Sequence, residues 1–389
     1  MQKKLIAIAV AGALAPAAAM AQSTVEIYGR ANVGVDSWQA TGATDPTGNA
    51  KSRLRVFDFG SRLGFRVNES LGGGMRAFVV METGVNIDSG SGNGQSGSPN
   101  ASTGFWASRD SYAGIGGDWG DVRFGRQSPF YSNGIIMQAG ANYINQAADS
   151  MWSMGGALAS PSGRESNVAS YNTPTFGGFN ASLSWGPGSS EGGAYTGTGQ
   201  GKEQLYVITG RYSGGPIRAQ ADFGKRKDLS NISGQDREAW KVGLGWSYAP
   251  GSQVSAIVGN VKNKGIATAV TFGGITFANA GTSPNVDMWI LNWEHMLGQW
   301  QLIAQYGHWG KIKDLTVDPG NTDAAVYTVA AKYFLSKRTG VYLSFNQVKN
   351  KENAWYDFSN GGSSSINSTS VGNRGADPRI IALGVMHNF

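Results

Sequence analysis

The sequence predicts an all-β chain: a 16-stranded antiparallel transmembrane β-barrel with short turns at one end, long loops at the other and an inward-folded third loop. Three observations carry that expectation. Apolar and polar residues alternate in stretch after stretch, as successive side chains do on the two faces of a strand. The connections between these stretches take turns between short and long, as in outer-membrane barrels with periplasmic turns and extracellular loops. The chain also ends on a strand residue, Phe389, with the pattern Ile381, Leu383, Val385 and His387 leading up to it on one face. A terminus of that kind is expected to be paired with the first strand and not frayed.

The N-terminal stretch differs from the rest. MQKKLIAIAVAGALAPAAAMA carries Lys3 and Lys4, then an apolar run from Leu5, then the small-x-small triplet Ala19-Met20-Ala21. This is the pattern of a cleaved signal peptide, expected over 1–21, and implies export. The remaining stretch, 22–389, has no other apolar run long enough to cross a bilayer as a helix. Removing Lys3 and Lys4 takes the formal charge from +6 to +4. The basic residues are dispersed, apart from KRK at 225–227, which argues against a nucleic-acid partner. Cysteine is absent although an exported chain could use disulfides, so stability has to come from noncovalent architecture. The 58 glycines, 12 Trp, 14 Tyr and 16 Phe fit either a large soluble β protein or a membrane barrel with a polar interior, and composition alone does not choose.

The alternation chooses. In VEIYGRANVGVD (25–36) Val25, Ile27, Ala31, Val33 and Val35 share one side, against Glu26, Tyr28, Arg30, Asn32 and Asp36. FDFGSRLGFRV (57–67) sets Phe57, Phe59, Leu63, Phe65 and Val67 against Asp58, Arg62 and Arg66. AWKVGLGWSY (239–248), QWQLIAQY (299–306) and VYTVAAKYF (326–334) repeat the pattern. Strands are expected near 24–36, 53–67, 75–87, 104–116, 121–127, 165–172, 179–186, 203–213, 216–228, 237–249, 252–263, 284–296, 299–312, 322–334, 339–349 and 377–389. Short turns such as NESLGGG (68–74), GGDWGD (116–121), APGS (249–252) and LSKR (335–338) alternate with Gly/Ser/Asn-rich loops near 37–52, 88–103, 187–202, 264–283 and 351–376. The segment 128–163 is the longest connection and includes GIIM (134–137). A loop with apolar residues is expected to fold against the inner wall and not to extend into water. Trp246, Tyr248, Trp300, Tyr306 and Tyr333, near strand ends on the outward side, suit the interfacial aromatic girdles.

Ordered motifs running through the mature chain then resemble one family. They are VEIYGRANVGV (25–35), SRLGFRVNESLGGGMRAFVVMETG (61–84), RDSYAGIGGDWGDVRFGRQ (109–127), RESNVASYNTPTFGGF (164–179), KYFLSKRTGVY (332–342) and LGVMHNF (383–389). The set is similar to the general diffusion porins of β-proteobacterial outer membranes, of the Burkholderia, Bordetella and Neisseria type. The resemblance implies a Gram-negative outer-membrane location, a homotrimer in contact with lipid and lipopolysaccharide, and passive diffusion of small hydrophilic solutes and inorganic ions. It implies a basic constriction built from Arg62, Arg109 and Arg164, with Glu82 as an acidic partner. The third loop, SPFYSNGIIMQAGANYINQ, lacks the PEFG-like segment of relatives, which leaves the acidic side of the constriction open.

Independently of the resemblance, alternation puts Arg62 and Arg66 on the polar side of their strand, and Arg30 on the polar side of the first. An arginine in a wet channel keeps its charge, and several facing one lumen raise the local anion concentration because low-dielectric walls focus the field. A modest anion preference is expected. The rival readings are a substrate-specific porin for organic acids or sugars, and an enzyme. The three histidines, His295, His308 and His387, have no catalytic motif around them, and His387 has lipid-facing parity. No nucleophile–base signature, metal-ligand spacing or phosphate loop is present, so neither catalysis nor a cofactor is expected.

Overall fold

The computed structural model describes residues 23–88, 106–130, 164–187, 203–228, 233–265, 270–272, 275–278, 282–316, 318–358 and 373–389. The expected signal peptide and residues 131–163 of the third loop lie outside the described residues. The strands in chain order are β1 (Thr24–Thr41), β2 (Ala50–Asp58), β3 (Arg62–Gly72), β4 (Met75–Gly84), β5 (Ser111–Gly117), β6 (Gly120–Gln127), β7 (Glu165–Asn172), β8 (Phe179–Gly186), β9 (Gln204–Gly214) and β10 (Ile217–Lys227). They continue with β11 (Asp236–Ala249), β12 (Ser252–Lys264), β13 (Val270–Phe272), β14 (Ile275–Ala278), β15 (Asn285–Leu297), β16 (Trp300–Trp309), β17 (Ala324–Phe334), β18 (Thr339–Asn350) and β19 (Asp377–Asn388).

All but β13 and β14 belong to one closed antiparallel sheet. From β3 onward each strand pairs with the next one of the sheet, and β1 closes the ring against β19 from Arg30↔Asn388 to Thr41↔Asp377. Phe389 completes the seam: Gly29 N–H donates to its carbonyl at 3.0 Å, and its own N–H donates to the Gly29 carbonyl at 3.1 Å. Gly29 is required there, since a Cβ would run into the Phe389 ring and the Arg62 carbonyl. Closure satisfies backbone groups that would each cost several kcal/mol if left orphaned in hydrocarbon.

β2 and β3 together make one stave, which is how seventeen strand segments give a 16-stranded barrel. β1 pairs with β2 along its C-terminal half and with β3 along its N-terminal half. The sequence pattern predicts a single strand over 53–67, and the break at 59–61 has a local cause. Asn32 N–H donates to Ser61 Oγ at 2.9 Å, Asn32 Nδ2 donates to the Phe59 carbonyl at 2.9 Å, and Ser61 N–H donates to Asp58 Oδ1 at 3.1 Å. Side chains thus replace ladder bonds around Gly60, whose φ of +75° no strand would adopt. β5 likewise starts later than the predicted 104. Ser108 Oγ takes the Gly84 N–H at 3.0 Å and Ala107 is left-handed at φ +61°, so 106–110 bends away from the ladder. β1 is longer than predicted because β2 and β19 carry it to Thr41, and β13 and β14 form a small hairpin inside the predicted loop 264–283.

The outward parity is apolar. On β19 Ile381, Leu383, Val385 and Phe389 are exposed while Ile380, Ala382 and Met386 are buried, the split expected from the sequence. Aromatic residues mark two levels on the outside: Tyr206, Phe223, Trp240, Trp289, Tyr306 and Tyr327 towards the long loops, and Tyr212, Trp246, Trp293, Trp300 and Tyr333 towards the short turns. The inner face of β9–β18 is not uniformly polar. Its loop end carries a buried apolar cluster that includes Leu205, Val207, Ile257, Ile290, Trp309, Val326 and Val348, covered by Phe130 from the third loop and by Ala354, Trp355 and Tyr356 from the last one.

Candidate channel constriction

Glu82 faces inward from β4, opposite Gly64 on β3, which in turn pairs with Tyr28 on β1. A side chain at Gly64 would collide with the Tyr28 ring, so glycine lets Tyr28 lie across β3. Its hydroxyl donates to Glu82 Oε2 at 3.2 Å. The other carboxylate oxygen receives Arg109 Nε, and Arg62 Nη1 stands 3.7 Å from it. Arg109 is held by backbone as well as by charge, since its N–H donates to the Glu82 carbonyl at 2.9 Å. Arg164, just ahead of β7, pairs with Asp110 at 3.2 Å. Four residues that are far apart in the sequence (Arg62, Glu82, Arg109 and Arg164) therefore gather on one stretch of inner wall.

Three guanidinium groups against the carboxylates of Glu82 and Asp110 leave one net positive charge. The guanidinium cannot lose its proton in such a site, so the positive excess is permanent. Planar forks held by carboxylates are also rigid, because less rotamer freedom is left to lose when a solute arrives.

The supporting contacts explain how the wall holds this shape. Arg126 Nε donates to the Ser108 carbonyl at 3.1 Å and its Nη1 to Ser166 Oγ at 2.9 Å, tying β6 to β7 and to the segment before β5. Ser128 Oγ donates to Asp110 Oδ1 at 2.7 Å at the root of the third loop. From there the chain enters the barrel: Phe130 is fully buried, its carbonyl accepts Lys241 Nζ at 2.6 Å, and its ring centroid lies 4.4 Å from that ammonium. Lys241 is on β11, so the chain meets that wall by residue 130; its course over 131–163 lies outside the described residues.

The other lumenal candidates stand apart from this cluster. Arg66 pairs with Glu26 at 2.7 Å and covers the Tyr28 ring at 4.6 Å. Arg30 Nε donates to Asn388 Oδ1 at 2.9 Å near the seam. Sequence reasoning missed Asp110, whose role depends on two bends in the chain, and a second inward basic group nearer the short turns. There Arg123 pairs with Asp121 at 2.6 Å, and Arg76 is 3.8 Å from the same carboxylate. Inward parity on β4 and β6 is the signal that would have found them. All three histidines face outward: His295 stacks on Tyr248 and Trp293, His308 on Trp289, and His387 near Phe389.

The sequence matches the Gram-negative porin family over residues 7–353. It is 28% identical over 361 residues to outer membrane porin protein 32 of Delftia acidovorans, covering 90% of this chain and 91% of that protein. Among solved structures, an anion-selective porin from Comamonas acidovorans superposes with a TM-score of 0.67 at 24% identity, covering 95% of this chain and all of that one. The trimer form of OmpT, an outer membrane protein of Vibrio cholerae, gives a TM-score of 0.58 at 10% identity, covering 94% of this chain and 99% of that one.

Proposed function

The chain belongs to the Gram-negative porin family, an outer-membrane channel for passive diffusion, and on that premise we propose that it favours small hydrophilic anions. The observation that carries this reading is the grouping of Arg62, Arg109 and Arg164 around Glu82 and Asp110 on the inner wall. The cluster has an excess of fixed positive charge beside water in a low-dielectric tube, where field lines concentrate along the axis. Anions are drawn in; cations meet a barrier that the two carboxylates keep finite. The similar structure from Comamonas is described as anion-selective, which supports the same sign here. Selection needs only charge and width, so no catalytic step is part of the reading. The test is the reversal potential in a KCl gradient across a planar bilayer: the potential should have the sign of chloride permeation, and cation selectivity would refute the charge assignment while leaving the barrel untouched.

The partners follow from the outer surface. We read the unit as a homotrimer, one of whose supports is the trimer form of a structural neighbour. The lipid contact is supported by a belt of charge just beyond the loop-side aromatics. Lys225 pairs with Asp236 and Glu238, Lys264 with Glu238, Lys313 with Asp287, and Lys349 with Asp377. At that level ammonium groups suit the phosphates of lipopolysaccharide, with the aromatic rings below them at the headgroup boundary.

A further inference from the structure

The basic group at the short-turn end of the lumen is built differently from the constriction. Arg76 is the second residue of β4, directly after the turn that holds Gly72, Gly73 and Gly74, and Asp121 and Arg123 open β6 after the neighbouring turn. On the same strands Met81, Ile115 and Phe124 face outward and are exposed, so Arg76, Phe78, Tyr112, Asp121 and Arg123, of the other parity, line the interior. Arg76 lies six positions before Glu82 on β4 (82 − 76 = 6). That is roughly 20 Å of extended chain, against a screening length of about 10 Å in 0.1 M salt. A passing ion therefore meets the two groups one after the other.

Aromatic rings set the geometry here. A Cβ at Gly114 of β5 would strike the Phe78 ring, so glycine lets Phe78 lie across β5, with Tyr112 edge-on to it at 6.3 Å. The Arg76 guanidinium is 5.0 Å from the Phe78 centroid; that of Arg123 is 5.1 Å from Tyr112 and 5.8 Å from Phe78. Arg123 is fully engaged. Its Nε and Nη2 donate to the two oxygens of Asp121 at 2.6 and 3.1 Å, and its Nη1 to the Tyr112 hydroxyl at 3.4 Å. Asn172 Nδ2 donates to the same carboxylate at 2.8 Å. Arg76 is not engaged. Its side chain is 50% exposed, it makes no hydrogen bond among the described residues, and the Asp121 carboxylate is 3.8 Å away.

We propose that Arg76, held on Phe78, is a binding station for small monocarboxylates at the short-turn mouth of the channel, separate from the constriction. The proposal rests on the channel reading above and adds a solute class to it. Stacking on the ring fixes the plane of the guanidinium and leaves its in-plane N–H groups open to the lumen. A carboxylate accepts two such groups in parallel, as Asp121 does from Arg123 in the next position along the wall. Chloride has a single centre and cannot use the fork in that way. Two guanidiniums and one carboxylate leave one net positive charge, and one open fork takes one carboxylate.

The experiment is the conductance of the purified protein in planar bilayers over graded concentrations of potassium chloride, potassium acetate and potassium phosphate. Conductance should keep rising with chloride and level off with acetate, because an ion that stays bound limits its own flux. Arg76→Lys keeps the charge but puts a point-like ammonium in place of the fork, and should raise the half-saturating acetate concentration roughly three-fold. Asp121→Asn removes the competing carboxylate and releases the Arg123 fork, and should lower that concentration by about the same factor. Acetate conductance that does not level off in the wild type, or that levels off at the same concentration in Arg76→Lys, overturns the proposal. Saturation by inorganic phosphate without saturation by acetate overturns it as well. A wild type that does not conduct chloride overturns the channel reading instead.

Discussion

Glu82 is the residue on which the candidate constriction depends. It accepts Arg109, faces Arg62 and takes the Tyr28 hydroxyl. Replacing it by glutamine keeps the shape and removes a unit charge. At about 10 Å from the channel axis in a water-like medium that charge is worth ~0.4 kcal/mol to each ion with opposite sign, so the chloride-to-potassium permeability ratio of Glu82→Gln should rise roughly four-fold. Reversal potentials in dilute KCl measure it; an unchanged ratio would mean that permeating ions do not sense this carboxylate. Neutralising Arg62, Arg109 or Arg164 should act in the other direction, lowering the ratio roughly four-fold in dilute salt and hardly at all at 1 M, where the screening length is about 3 Å. At this scale the family resemblance named Arg62, Arg109, Arg164 and Glu82, while strand parity by itself was informative in one respect. Inward parity was legible for Arg62 and Arg66, but their fates differ: Arg62 reaches Glu82, whereas Arg66 is taken by Glu26. Parity says which face a side chain takes, and the partner across the wall decides what it does there. Asp110 was missed because the sequence pattern put it inside a strand expected from 104, whereas it lies in the bend just ahead of β5.

Among the elements, the seam between β1 and β19 is the most constrained. Gly29 has the Phe389 ring on one side and the Arg62 carbonyl on the other. Gly29→Val should therefore force the last strand away from the first and cost about 1–3 kcal/mol in overpacking. Phe389→Ala leaves the two backbone bonds but removes the ring at the lipid boundary, and is expected to be milder. Heat-induced loss of the compact form on cold-loaded gels should rank wild type above Phe389→Ala and Phe389→Ala above Gly29→Val; equal midpoints for all three would show that the seam does not limit stability. Strands of strict alternation, such as β11, β17 and β19, were legible in the sequence almost to their ends. Two departures from expectation come from side chains bonding to backbone: Asn32, Ser61 and Asp58 interrupt the β2–β3 stave, and Ser108 delays β5. Such local competition leaves no trace in a hydrophobic pattern. The apolar inner wall was equally hidden, because residues such as Val326 and Val348 look polar-side by parity and apolar by type until a loop is seen to cover them.

At the scale of the whole molecule the outer surface divides into two sectors. From β9 to β17 the outward face carries aromatic residues at both membrane levels, and the Lys–Asp/Glu belt above them runs on to β18 and β19. On β1–β4 the outward positions hold Val25, Ile27, Val35, Leu54, Val56, Leu63, Phe65, Val67, Val79 and Met81, with no Trp or Tyr on the strands themselves, although Trp106 ahead of β5 packs on Phe65 at 5.9 Å. Trp and Tyr are placed where a barrel meets lipid headgroups, so a sector without them is adapted to something else. Its side chains are also among the most exposed apolar ones, with Leu54 83% exposed and Val25 and Val56 each 66% exposed. A second copy of the chain would cover it with matching aliphatic surface, and three copies around one axis would leave each aromatic sector towards lipid. Leu54→Arg/Val56→Arg places two charges in that contact. Buried without a partner they are too costly for the assembly, whereas in a lone barrel long side chains on β2 can reach the loop-side headgroups. The purified variant should run as a monomer by light scattering in detergent, with the strand content of wild type and conductance steps about a third of the trimer's. A variant that remains trimeric with unchanged steps would move the subunit contact off β1–β4 and leave this bare sector facing lipid.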